Sequence, residues 1–317
     1  MIARIYKKYI QTCEPKWVAL LVATIAGNRH LIDCDNDAKN LIGECVKEHC
    51  STLESELVNN TPIYEITSLK RRFLTTVVVD GTLSITQYIN LFSQPSFVLL
   101  ENAPYEWPVY KKMMETYKRD REFQTIYELL RIASTQSPCT LRELQAGGNG
   151  MFEATIDSKE TSPDYKGLTR YKIYAVTDSD RESDSAQYGA TQKKLYRYLS
   201  GIKDKGADID RTIIDSLHQP HYIWHMWRKR AIENYFPPEA YEALGWNADQ
   251  YRSLSPSDRS FVKIENPVVK GYHKKDLEKL PENMSREAYE NLCDKICIDG
   301  SWISEIRLFL LKMARVV

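Results

Sequence analysis

The stretch RYKIYAVTDSDRESD, Arg170 to Asp184, decides how the rest of the chain is read. Its apolar run, Ile173-Tyr174-Ala175-Val176, suits a strand buried on both faces. It ends in Asp178 and Asp180, one residue apart. Two like charges this close raise each other's pKa and repel, so a divalent cation, a helix N-terminus or solvent must compensate. An amphipathic helical segment follows, SAQYGATQKKLYRYLSGI.

Working outward, FVLLENAPYEWPVYKKMMETYKRD reads as a short strand, Phe97 to Leu100, ending at Glu101, with a helical segment from about Tyr105. LRELQAGGNGMF places a glycine turn, Gly147-Gly148-Asn149-Gly150, after a further short element. HYIWHMWRKRAIENYFPPEAYEAL reads as a strand passing into a helix that Pro237-Pro238 interrupts. Strands alternating with helices imply a mostly parallel sheet, whose ligands sit at the carboxyl ends of the strands. Glu101, Asp178 and Asp180 then share one edge. Three carboxylates in one cleft favour protonation unless a hard cation relieves them, and an all-oxygen site suits Mg2+ or Mn2+. The competing reading makes Ser179 or Asp180 a helix N-cap or a solvated loop residue.

Upstream, residues 1–95 read as a separate α/β unit. KWVALLVATI is a strand or a buried helix, and DAKNLIGECVKEHCSTLESEL is helical with Asp37 available as a cap. FLTTVVVDGTLSITQYI reads as a hairpin turning at Asp80-Gly81. FSQPS marks a boundary, and residues 246–317 read as a helical region ending in SWISEIRLFLLKMARVV.

At 317 residues the chain is long enough for one large or two ordinary domains. Its formal net charge is zero, which excludes a global basic field for nonspecific nucleic-acid binding and leaves only local basic groups. Seven scattered cysteines read as reduced thiols of a cytoplasmic protein, and neither Cys45/Cys50 nor Cys293/Cys297 has zinc-knuckle spacing. The longest apolar run, from Trp17, is about half a membrane span, so no membrane association is expected.

The order strand-Glu, Gly-Gly turn and strand-Asp-x-Asp resembles the Toprim domain of topoisomerases, primases and OLD-type nucleases. The resemblance covers roughly residues 96–245: Glu101, then Glu106 and Tyr110 on the next helix, AGGNG, YAVTDSDRE, and HMWRKRAIENYFPPEA with its Arg230, Ile232, Glu233, Asn234 and Tyr235. Toprim nuclease subunits of anti-phage systems such as PARIS, which work beside an ABC-type ATPase, are similar. Two positions depart from the pattern: Glu-Gly is Glu101-Asn102 here, and Gly-Gly-Lys is Gly147-Gly148-Asn149, which lacks a lysine that could contact phosphate.

The resemblance implies a Rossmann-like Toprim core at 96–245, between an N-terminal α/β region and a helical C-terminal region. It implies a metal-dependent nuclease acting on DNA or RNA, tRNA included, as a phage-defence effector held by a partner ATPase, and dimers by analogy. Two metal ions can activate water and stabilise the leaving oxygen in phosphodiester cleavage. Asp178 and Glu101 are the expected ligands of one ion. Asp180 and Glu233 hold a second or orient its waters, and Glu106 faces either the same cleft or solvent.

Arg230 and Lys229, with Arg228 and Arg181 nearby, are the local cations for a transition-state phosphate. His218, His221 and His225 share a face only if helical; His225 is the better phosphate contact. Tyr222, Trp224 and Trp227 either stack bases or belong to the core. Two alternatives stay open: a non-catalytic Toprim-like scaffold for an ATPase or nucleic acid, and another magnesium phosphotransfer enzyme. Phosphatase Asp-x-Asp pairs usually lie on the first strand of their domain, and here a Glu-bearing strand precedes the pair.

Overall fold

A computed structural model describes residues 1–54, 64–67 and 72–317. It is an α/β structure with two parallel sheets and one antiparallel hairpin. The first sheet is three-stranded, in the order β2 (Leu31–Asp33), β1 (Ile2–Ile5), β3 (Thr76–Val79). One of its faces is covered by the helices Pro15–Gly27, Asn36–His49 and Ile85–Ser93. WVALLVATIAG is thus helical. Pro15 opens that helix at its first turn, where the missing N–H costs no hydrogen bond.

Two local expectations are corrected here. The helix at 36–49 is capped by Asp35, whose carboxylate accepts from the Ala38 N–H at 2.7 Å; Asp37 lies in its first turn. The part of that sequence segment beyond Glu54 lies outside the described residues. FLTTVVVDGTLSITQYI is not a hairpin. Asp80 accepts from the Thr82 N–H to close a turn through Gly81, and Ser84 and Gln87 then form a capping box that starts a helix. Tyr88, Leu91 and Phe92 recur at helical spacing and are buried, which outweighs the β-branched run before the turn.

The second sheet is four-stranded and parallel, in the order β5 (Leu141–Gln145), β4 (Ser96–Leu100), β6 (Ile173–Thr177), β7 (Ile223–Met226). Every residue of β4 and β6 is buried, as expected of central strands covered on both faces. Val98, Leu100, Tyr174 and Val176 face a core built with the helices Ala103–Glu115, Gln124–Thr135 and Glu305–Ala314. Leu99, Ile173, Ala175 and Trp224 face the helices Phe152–Glu160 and Ala190–Ser200. The chain leaves β4 for β5 on one side and returns to place β6 on the other. The strand order therefore reverses between β4 and β6, and that switch point is where open α/β sheets bind ligands.

The region after 245 is neither wholly helical nor set apart. Lys295–Ile298 (β8) and Ser301–Ser304 (β9) form an antiparallel hairpin, so SWIS is strand and the last helix starts at Glu305. That helix packs on β7, and the 3-10 segment Lys274–Asn283 packs on the helix Ala103–Glu115, within the same core as the four-stranded sheet. Among the described residues, no helix is long and apolar enough to cross a membrane. All seven cysteines are free thiols.

Candidate functional site

Adjacent parallel strands deliver the first two carboxylates. Leu99 of β4 is in register with Ala175 of β6, so Glu101 and Asp178 emerge side by side past the strand ends. The glycine turn is tied to the same edge: the Ala146 N–H donates to the Leu100 carbonyl at 2.8 Å and the Gly147 N–H to the Glu101 carbonyl at 3.1 Å. Gly147 and Gly148 have φ of +84° and +131°, conformations that L side chains rarely adopt.

Asp178 and Asp180 are separated in role by Ser179. Its buried hydroxyl donates to the Lys229 carbonyl at 2.7 Å, and the Asp180 N–H donates to the Arg230 carbonyl at 3.0 Å. Asp180 takes a left-handed backbone conformation, φ +53°. Its Oδ2 accepts from the amides of Asn149 at 3.1 Å and Gln192 at 2.5 Å. Asn149 thus stands where the resembling pattern has lysine, and it holds the second aspartate. Asp180 does not cap the following helix, whose N-cap is Gly189.

Two further carboxylates are buried beside these. Glu106, in the first turn of the helix Ala103–Glu115, accepts from the Asn102 N–H at 3.0 Å. Glu233, on the 3-10 turn Ile232–Tyr235, accepts from the Tyr272 hydroxyl at 3.4 Å through Oε1. Its Oε2 is buried and has no hydrogen-bond partner among the described residues. Asp178, Asp180, Glu233 and Arg230 line one cleft of about 510 Å³ with Lys263 and Lys274.

The charges register one another. Burial, then the neighbouring Glu233 and Glu106, pushes the Asp178 carboxyl well above its ordinary range. Burial raises Glu106 to about 7 and lifts Glu101 in the same direction, with Lys274 opposing both shifts. The Lys274 ammonium is held charged, its pKa raised by Glu233, Asp178, Glu106 and Glu101 against the cost of burial. It stands 3.9 Å from Glu233 Oε1. Lys274 was not foreseen: GYHKKDLEKL is an ordinary polar segment, and only the packing of Lys274–Asn283 on the helix Ala103–Glu115 brings it to the cleft.

Other expected residues are placed elsewhere. Lys229 does not face the cleft, because its ammonium donates to the Asn234 carbonyl at 3.1 Å and lies over the Tyr235 ring. Arg228 pairs with Asp215 and Asp294, and Arg181 donates to the Asp184 and Arg228 carbonyls while covering Phe261. His225 lies inside β7, fully buried against Trp227, and burial pushes its imidazole well below the usual range. It cannot contact phosphate from there. His218 and His221 are exposed on the loop before β7 and form no cluster with it. Tyr222, Trp224 and Trp227 are core residues.

Among the described residues, no group of three or more His, Cys, Asp or Glu side chains is arranged to hold a metal ion. The carboxylates converge around an ammonium instead. No family model, curated protein or solved structure matches this chain.

Proposed function

We propose that the chain is a Toprim-type, metal-dependent nuclease whose catalytic carboxylates are Glu101, Asp178, Asp180 and Glu233. The observation that carries this reading is the orphaned Oε2 of Glu233, buried at the switch point beside Asp178. A buried carboxylate oxygen without a donor is costly, and a ligand that supplies positive charge removes the cost. The donor set is all-oxygen, which suits Mg2+ or Mn2+.

When bound, such an ion would activate water and neutralise charge on a scissile phosphate. Asp178, Glu101 and Glu233 would hold it, with Glu106 behind them. Asp180 is pre-oriented by Asn149 and Gln192, which leaves its Oδ1 for an ion or a coordinated water. Lys274 would leave the carboxylates as the ion enters and would then be free to meet a substrate phosphate, with Arg230 and Lys263 on the same cleft.

A chain of zero net charge whose cleft carries Arg230, Lys263 and Lys274 suits an effector brought to nucleic acid by a partner, for which an ABC-type ATPase in phage defence is our proposal. The Lys274 ammonium among the carboxylates favours a second reading, a non-catalytic module that binds nucleic acid or an ATPase.

Cleavage assays on DNA and RNA with millimolar Mn2+ or Mg2+ separate the two. We expect slow basal cleavage that Glu101→Gln and Asp178→Asn each abolish in folded protein. Variants indistinguishable from wild type would sink the catalytic reading. Fast cleavage by the isolated chain would sink the partner-held part alone.

A further inference from the structure

We infer that Glu305, outside the cleft, is a positioning residue that fixes Glu233 and Arg230 by clamping both ends of the segment Arg228–Tyr235; this rests on the nuclease reading above. Glu305 opens the last helix and is fully buried. One of its oxygens accepts from the Arg228 N–H at 2.8 Å, where the chain leaves β7. The other accepts from the Tyr235 hydroxyl, at the end of the 3-10 turn that carries Glu233. The Tyr235 oxygen in turn accepts from the Lys229 N–H at 3.3 Å. A single carboxylate thus closes an eight-residue excursion at both ends.

The rest of that excursion is pinned as well. The Arg230 N–H donates to the Ser260 carbonyl, the Ala231 N–H to the Asn234 side chain, and the Tyr241 hydroxyl to the Glu233 carbonyl. The segment's hydrogen bonds therefore go to the scaffold, while the Glu233 Oε2 has no partner among the described residues. A buried carboxylate at position 305 is itself expensive, and apolar packing there would serve stability as well or better. Holding a loop that supplies a metal ligand explains why a charge stands there. Groups hydrogen-bonded to a metal ligand itself typically change metal affinity by about 10–100-fold when removed, and a clamp on the segment that carries the ligand is expected at the lower end of that range.

Glutamine at 305 keeps the geometry. Its carbonyl can accept from the Arg228 N–H, and its amide can donate to the Tyr235 oxygen. Alanine keeps neither bond, and phenylalanine at 235 removes one end of the clamp. The test is Mn2+ binding, read from the free-ion electron paramagnetic resonance signal, for wild type, Glu305→Gln, Glu305→Ala and Tyr235→Phe, with folding checked by circular dichroism. We expect Mn2+ affinity to fall at least about tenfold in Glu305→Ala and in Tyr235→Phe and to stay within about threefold in Glu305→Gln.

Equal affinity in wild type and Tyr235→Phe overturns the clamp, even where Glu305→Ala fails to fold. Equal losses in Glu305→Gln and Glu305→Ala overturn it too, because a merely structural charge would not be rescued by the amide. No Mn2+ binding by wild type overturns the metal reading and the clamp together.

Discussion

At the scale of the residue, the cleft is a balance between like charges and one ammonium. The Asp178 carboxyl is pushed well above its ordinary range by burial and then by Glu233 and Glu106, so its ionised form destabilises the fold. Asp178→Asn should therefore raise Tm of the metal-free chain at about pH 8 by roughly 2–4 °C, the shift that about 1 kcal/mol produces in a domain of moderate size. The same variant should lose metal-dependent cleavage. Lys274→Met should act oppositely, lowering Tm at about pH 8 and much less at about pH 5, where protons take over the compensation. Differential scanning calorimetry at the two pH values checks both; a Tm that Lys274→Met leaves unchanged would remove the ammonium from this account. That Glu101, Asp178, Asp180 and Glu233 come near one another was legible because each ends a strand or sits in a short motif. Lys274 was not, since its role depends on a distant segment folding back across a helix. Lys229 was misplaced because consecutive residues leaving a strand point in different directions, and only Arg230 of the basic run reaches the cleft.

At the scale of the element, the decisive piece is the irregular segment between β7 and the helix Pro238–Glu242. Its sequence suggested a strand running into a helix, yet it forms a loop and one 3-10 turn. Asn234 explains the difference. Its side chain accepts from the Ala231 N–H at 3.1 Å and donates to the carbonyls of Arg259 and Val262 at 2.7 and 2.9 Å. A buried amide making three bonds to backbone offers the chain an alternative to helical hydrogen bonding. Asn234→Ala strands those groups and should cost about 3 kcal/mol, measured by urea unfolding. A loss below about 1 kcal/mol would mean that the turn is held by its flanks. The strands themselves were legible wherever hydrophobicity ran unbroken, as in SFVLL and IYAVT. The expected hairpin at Asp80-Gly81 failed because a capping box is a local signal stronger than the β-branched run that precedes it.

At the scale of the molecule, proton and metal binding oppose each other. Glu106 titrates at about 7, above its ordinary 4.5, and Glu101 and Asp178 are displaced in the same direction. Between those two values the folded chain holds protons that the unfolded chain releases. Stability of the metal-free protein therefore falls as pH rises through that window. Lys274 has the reverse sign: its own titration lies above the window, and its attraction for the carboxylates grows as they ionise toward the upper end, so its contribution is larger at about pH 8 than at about pH 5. A divalent cation binds only the ionised oxygens, so it must displace protons at about pH 5 and meets open carboxylates at about pH 8. Tm without metal should thus decline from about pH 5 to about pH 8, with the decline reduced by saturating Mn2+. The stabilisation at the higher pH should approach roughly 2.7 kcal/mol at a hundredfold excess over Kd. Glu233→Gln keeps the packing of that side chain while weakening a ligand, so it should shrink the Mn2+ increment, and it also removes one of the charges that raise Glu106. A Mn2+ increment equal at both pH values would place the ion away from these carboxylates, because only a site built from groups titrating in this window couples the two.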